Sequence, residues 1–275
     1  MSQTLPPPDH HDPLQRLLAI MERLRDPQSG CPWDIEQTYA SIVPHTIEEA
    51  YEVAEAVERG DMNALRDELG DLLLQVVYHS QMAREDGRFD FSDVAAAIGD
   101  KLVRRHPHVF GDLDVPDAAA QTVQWEEQKA RERKAKAGSS LHSALDGLTS
   151  TLPAMTRALK LQNRAARVGF DWPEIKQVVE KIDEELAEVR AELDHITPDD
   201  GRLKSEIGDL LFTVVNLARV VGTDPEAALR HTNRKFERRF RYMEQRLAEQ
   251  GKTTGDVCLE EMESLWCEAK TTDEP

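Results

Sequence analysis

Two carboxylate patterns of one form, one in each half of the chain, constrain its fold more than any other feature. Glu48-Glu49-x-x-Glu52 is followed by Glu68-x-x-Asp71, and Glu184-Glu185-x-x-Glu188 is followed by Glu206-x-x-Asp209. Acids three residues apart share one face of an α-helix, so each pattern asks for two helices with their carboxylates turned the same way. Packed antiparallel, the two helices bring four carboxylates together, and each close like-charge pair costs about 4 kcal/mol at an effective dielectric of about 20. Such a cluster calls for a cation or for raised pKa values. Its donors are oxygen alone, which suits Mg²⁺ or Mn²⁺ over Zn²⁺. The Glu-x-x-His pairs of a di-iron bundle are missing from both halves.

Helical periodicity extends well beyond the acids. Apolar residues recur at helical spacing through residues 14–25, 47–57, 64–82, 94–103, 178–193, 203–221, 225–247 and 259–269, with almost no strand signal between them. Ser92 and Asp93 mark one helix start and Asp224-Pro225 another, and Gly60, Gly87 and Gly222 stand at expected stops. The chain is therefore expected to be all-α.

More than carboxylates recur. Asp67-Glu68-Leu69-Gly70-Asp71-Leu72-Leu73 is answered by Ser205-Glu206-Ile207-Gly208-Asp209-Leu210-Leu211, and Lys101-x-x-Arg104-Arg105 by Lys235-x-x-Arg238-Arg239. Each half closes on Trp-x-x-x-Lys (Trp125 to Lys129, Trp266 to Lys270) and opens on a Trp/Asp loop at Cys31-Pro32-Trp33-Asp34 and Gly169-Phe170-Asp171-Trp172. A repeat this long is a duplicated domain rather than a solenoid unit. The expected division is a disordered, Pro-rich tail over residues 1–12, a first helical-bundle domain over 13–138 and a second over 139–275. The basic stretch 130–140 carries the hinge at its end.

At 275 residues the chain can bury two modest cores. Its net charge of −18 repels nucleic-acid polymers. No apolar run reaches membrane-spanning length and the N-terminus has none of the features of a signal peptide, so a cytoplasmic protein without membrane contact is expected. Cys31, Cys258 and Cys267 are odd in number and lack metal-ligand spacing, which fits reduced, small, partly buried thiols.

Each half thus offers four acids for a hard cation, a Lys-x-x-Arg-Arg helix segment and a helical Trp with Lys one turn later. A phosphate-bearing ligand with an aromatic ring would use all three: a cation and basic side chains hold phosphates, and Trp stacks on a base or seals the pocket. Each part alone also has a plainer reading as a solvated face or a core residue. His106 and His108 flank a Pro and read as loop residues rather than metal ligands, and Lys129, Lys134 and Lys136 read as solvating linker charges. A phosphate-binding Gly-rich loop and a covalent nucleophile context are both lacking, which leaves direct attack by water.

These motifs, together with Gln37-Thr38 after the first Trp/Asp loop, the run Arg104-Arg105-His106-Pro107-His108-Val109-Phe110 and the run Lys235-Phe236-Glu237-Arg238-Arg239-Phe240, resemble the bacterial MazG nucleoside triphosphate pyrophosphohydrolases from about Leu14 to Lys270. The resemblance implies tandem all-α domains that form a homodimer. The implied reaction is Mg²⁺-dependent hydrolysis of NTP or dNTP to the monophosphate and pyrophosphate, with water attacking the α-phosphorus. The family's catalytic metal ligands fall on Glu185, Glu188, Glu206 and Asp209. Its nucleotide contacts fall on Lys181, on the segment 202–205 with Arg202 and Lys204, on Lys235 and Arg239, and on Trp266 with Lys270. Glu185 or the adjacent Glu184 is the candidate general base.

The first half keeps Glu49, Glu52, Glu68 and Asp71 with Lys101 and Arg105, but His45 stands where the second half has Lys181 and Ala64 where it has Arg202. A triphosphate carries several negative charges, and each lost charge-assisted hydrogen bond costs about 1.5–3 kcal/mol. The second half is therefore expected to be the main catalyst, with His45 a phosphate contact or a capping residue before Thr46. Two other readings stay open: a narrow pyrophosphatase for one modified or deoxy nucleotide, and a non-enzymatic helical scaffold for oligomerisation, which would need no divalent cation.

Overall fold

The structure is a computed structural model that describes residues 8–112, 117, 120–121, 124–125, 128, 131–132, 143–172, 174–195 and 199–272. Among the described residues there are helices and turns but no strand. The chain divides into two compact units, Met1–Gln128 and Lys129–Pro275. The expected boundary after residue 138 and the linker lysines 129, 134 and 136 lie outside the described residues.

In the first unit, α1 (Pro13–Leu24), α2 (Pro32–Glu36), α3 (Tyr39–Arg59), α4 (Met62–Glu85), α5 (Phe91–Arg105) and α6 (Pro107–Phe110) follow one another. Asp12 caps α1 by accepting from the Leu14 amide at 2.9 Å, with Pro13 at the first helical position. A reciprocal Thr38–Ser41 capping box starts α3, eight residues ahead of the first apolar repeat read in the sequence, and the helix runs through Pro44. Gly60 ends it in the left-handed region at φ 68° with open space around its Cα, and Asp61 immediately caps α4. This tight reversal lays α3 and α4 side by side. Met21, Ile42, Val77, Tyr78 and Met82 form the core under them, with Leu17, Leu18, Leu74 and Phe91 packed around it.

The second unit runs α7 (Ala154–Arg167), α8 (Ile175–Leu193), α9 (Asp200–Val220), α10 (Pro225–Glu249), a 3₁₀ turn (Thr254–Asp256) and α11 (Leu259–Thr272). Asp199 caps α9 and Asp224 caps α10, each through backbone amides of the first turn. α9 packs between α8 and α7, while α10 packs on α7 and α11. Met243, Leu247 and Leu265 form a core between α10 and α11 with Phe240, Val257 and Met262.

Several expectations are corrected. The Cys31–Asp34 loop is mostly the one-turn helix α2. α5 starts at a reciprocal Asp90–Asp93 box, so Ser92 and Asp93 lie inside the helix rather than before it. His45 sits within α3, its Nδ1 3.6 Å from Glu48, and caps nothing. Cys258 and Cys267 are exposed, leaving only Cys31 partly buried. His106 does stand between helices, at the junction of α5 and α6, with its ring against Trp125 and its Nδ1 2.7 Å from the Leu102 carbonyl, but His108 lies inside the short helix α6 rather than in a loop. No helix is long and apolar enough to cross a membrane, among the described residues.

Candidate functional site

The α3–α4 turn dictates which acids meet. Glu52 and Glu68 lie equally far along the chain from Gly60, and so do Glu49 and Asp71, so folding the hairpin at that glycine sets the two pairs side by side. Oxygens of Glu49, Glu68 and Asp71 accordingly lie within 4.8 Å of one another. Burial and the charges of Glu52 and Asp71 push the Glu49 carboxyl up, and burial with the Glu52 charge does the same to Glu68.

The second unit forms a similar cluster on α8 and α9 from a different three of the four acids: Glu52 stands outside the first triad, whereas its counterpart Glu188 is inside the second. Oxygens of Glu185, Glu188 and Glu206 come within 4.8 Å of one another. Glu185 is only 5 % exposed. Glu188 is pushed up by desolvation and by the charges of Glu185 and Glu206. Asp209 lies one turn beyond Glu206, exposed and outside that triad, so the fourth expected ligand is near but not gathered in. Both triads are oxygen-only, mutually repelling and compact, which is the donor chemistry that a hard divalent cation matches.

Of the basic residues read from the sequence, Lys181 stands against the triad. Its Nζ lies 2.8 Å from Glu184 and 2.9 Å from Glu185, and these two hydrogen bonds raise its pKa far above the usual lysine range. Arg202 reaches across to Glu192 at 3.9 Å and Lys204 is exposed on the same first turn of α9. Lys235 and Arg239 lie one turn apart on α10, and Trp266 and Lys270 one turn apart on α11. The Trp266 ring packs 5.0 Å from the Phe236 ring, which ties the two helices together. In the first unit Lys101 and Arg105 are half-buried on α5, and the Trp125 indole donates to the Arg105 carbonyl at 2.9 Å.

Other residues around each hairpin escaped the sequence reading. In the first unit Arg25 forks onto Glu85 at 2.7–3.1 Å and donates to the Asp34 carbonyl, while the Tyr78 hydroxyl donates to the Asp34 carbonyl at 2.8 Å and carboxylate at 3.0 Å. In the second, Arg219 pairs with Asp171 and is steadied by Asn216 Oδ1 at 2.9 Å. The duplicated Asp34 and Asp171 thus fasten each opening loop to the second hairpin helix, through different partners. Only the duplicated aspartates were visible as a signal. Beside Asp171 a cavity of about 300 Å³ opens, lined by Gln162, Phe170, Trp172, Phe212 and Asn216 among others. Nothing in the sequence marked it.

The MazG nucleotide pyrophosphohydrolase domain matches twice, over residues 37–110 and 174–243, and each match contains one carboxylate hairpin. The chain is 52 % identical over 257 residues to the nucleoside triphosphate pyrophosphohydrolase of Escherichia coli K12, covering 94 % of this chain and 97 % of that one. It is 42 % identical over 260 residues to the nucleoside triphosphate pyrophosphohydrolase/pyrophosphatase MazG of Thermotoga maritima, covering 94 % and 96 %. An uncharacterized protein, YabN of Bacillus subtilis, is 45 % identical over 255 residues, 93 % of this chain but 51 % of its own. With the domain found in both halves and relatives aligned over nearly its whole length, this chain belongs to the MazG nucleotide pyrophosphohydrolase family.

Proposed function

We propose that the chain hydrolyses nucleoside triphosphates, ribo- or deoxy-, to the monophosphate and pyrophosphate, with the second unit the main catalyst. The observation that carries this is the Glu185–Glu188–Glu206 triad with the Lys181 ammonium 2.9 Å from Glu185. The first unit has a comparable triad but His45 in place of that lysine.

Glu185, Glu188, Glu206 and Asp209 are the residues to hold Mg²⁺, or Mn²⁺ in its place. Such a cation supplies charge neutralisation at the phosphates and activation of water. The chain's own groups do the rest. Lys181, already a cation, exchanges a carboxylate oxygen for a phosphate oxygen when substrate enters. Arg202 and Lys204 at the start of α9, with Lys235, Arg239 and Lys270, balance the charge of the triphosphate and of the departing pyrophosphate. Trp266 closes the nucleotide side. Glu184 or Glu185 takes the proton of the attacking water. Glu49, Glu52, Glu68 and Asp71, with Lys101 and Arg105, form a second and weaker site.

A homodimer is part of the same proposal. Leu69, Leu73 and Val76 in the first hairpin and Ile207, Leu211 and Val214 in the second are all exposed, at matching steps from Glu68 and Glu206. Apolar stripes of this kind at helical spacing are suited to self-association. Cytoplasmic location belongs to the proposal on the three unpaired cysteines.

The test is pyrophosphate release from a panel of NTPs and dNTPs with and without Mg²⁺. Metal-dependent release across several bases supports the proposal. Release from one nucleotide alone favours the narrow pyrophosphatase, and no release with or without metal favours the scaffold.

A further inference from the structure

The cavity beside Asp171 holds two buried amides with half of their hydrogen-bonding capacity unused. Gln162, on α7, is 7 % exposed, and Asn216, on α9, is 2 % exposed. Gln162 Nε2 donates to the Phe212 carbonyl at 2.8 Å, which turns its Oε1 the other way, and that oxygen has no partner among the described residues. Asn216 Oδ1 accepts from Arg219 at 2.9 Å, which fixes its Nδ2, likewise without a partner. A buried donor or acceptor left unpaired costs about 1–3 kcal/mol, so this pair of open valences is expensive unless something else fills it. The rest of the wall is largely apolar and aromatic, and at its rim Phe170 is 74 % and Trp172 40 % exposed, rings 6.5 Å apart.

One donor, one acceptor and two exposed rings around an apolar slot describe a receptor for a flat nitrogen heterocycle. Bases taken out of a stack are held in this manner, by hydrogen bonds to the pairing edge and by aromatic faces. The position is also right. Asn216 lies two turns past Asp209 on the same face of α9, about 10 Å along the helix axis, a span that a nucleotide covers between its phosphate and its base. The first unit shows the contrast. Tyr78 is as far past Asp71 as Asn216 is past Asp209, and its ring is buried against Met21 in the core with its hydroxyl spent on Asp34.

We propose that Gln162, Asn216 and the Phe170–Trp172 rim form the base pocket of the second unit, and that Tyr78 plugs the corresponding place in the first. The inference rests on the hydrolase reading for its ligand, the base of a nucleoside triphosphate. It adds a reason for the inequality of the two units that is independent of their basic residues.

Saturation-transfer NMR with adenosine and cytidine on the full chain tests it without hydrolysis, since neither probe carries a phosphate. Wild type and Glu188→Gln are expected to bind both nucleosides. Asn216→Leu and Gln162→Met each remove one open valence, and Asn216→Tyr copies the first unit. All three should weaken nucleoside binding about tenfold or more and raise KM for NTPs by a similar factor. Inhibition by inorganic triphosphate, which has no base, should be unchanged. Asn216→Asp, close in size but with the donor removed, guards against a folding defect and should behave like Asn216→Leu while keeping wild-type helicity. Wild-type nucleoside binding and KM in all four variants would overturn the pocket while leaving hydrolysis intact. Nucleoside binding lost in the Asn216 variants, in a protein that releases no pyrophosphate, would uphold the pocket and overturn the hydrolase reading.

Discussion

The Lys181 ammonium lies 2.9 Å from a Glu185 carboxylate oxygen, one helical turn along α8, and 2.8 Å from Glu184. A cation in this place does two things. It relieves the repulsion among Glu185, Glu188 and Glu206, and it stands ready at the edge where an anionic substrate must approach. Because the two hydrogen bonds raise its pKa, it stays charged throughout the neutral range. Lys181→Met is expected to raise KM for triphosphates about tenfold to hundredfold, the worth of a charge-assisted hydrogen bond. His45→Lys should raise whatever activity the first unit has. Unchanged steady-state kinetics in Lys181→Met would remove this residue from the substrate contacts.

The Arg25–Glu85 fork gives a pH dependence of known sign. Burial alone would push the Glu85 carboxyl up, but the hydrogen bonds from Arg25 and Gln81 outweigh it and hold the group below its ordinary range. A depressed carboxylate contributes stability that is present above its unfolded pKa and is lost as pH falls through the folded value. Arg25→Met should therefore lower stability by about 1 kcal/mol at pH 7, a charged hydrogen bond discounted because Glu85 is about a third exposed. That difference should shrink below about pH 4. Some should persist, because Arg25 also holds the Asp34 carbonyl. Urea unfolding of both proteins from pH 7 to 3 measures it, and a gap that widens in acid would contradict the sign.

Gly60 is the pivot that sets the first hairpin's register. At φ 68° a side chain is strained even though a Cβ there meets nothing within 4 Å. Gly60→Ala should cost about 1–2 kcal/mol from backbone strain alone, read as a lower thermal midpoint of the first unit. No shift would mean that the reversal relaxes without cost.

Much of this arrangement was legible in the sequence because it is periodic or duplicated. The acids of the two hairpins, the stops at Gly60, Gly87 and Gly222 and the cap at Asp224 all showed. What did not show lacked a start signal, length or contrast. α7 was missed although Met155 and Leu159 recur at helical spacing, because it opens on Pro153 without a polar cap and its arginines, Lys160, Gln162 and Asn163 leave few large apolar residues in the stretch. α2 was too short to have a period. Nothing in the sequence singles out Gln162 or Asn216; only packing reveals that they are buried and that Tyr78 stands in the place of one of them. Lys235 with Arg239 and Trp266 with Lys270 were read from the internal repeat and given a nucleotide role by the resemblance; they lie on α10 and α11 at the helix steps that the sequence did show.

The exposed apolar stripes make assembly testable. Leu211→Glu and Leu73→Glu each place a charge in one stripe, where Leu211 is 50 % and Leu73 38 % exposed. Burying an unpaired charge in an interface is costly enough to break it. Light scattering after size exclusion should show a dimer for the native chain and a shift toward monomer in at least one variant. A monomeric native chain would end the dimer proposal.

The central claim is that the second triad does the chemistry, and the most direct measurement is Mg²⁺-dependent pyrophosphate release by Glu188→Gln beside Glu52→Gln. The expected result is near-complete loss in Glu188→Gln, at least about a hundredfold, with Glu52→Gln retaining most of the wild-type rate. Wild-type activity in Glu188→Gln together with a dead Glu52→Gln would move catalysis to the first unit, and full activity in both would contradict a catalytic role for the carboxylates.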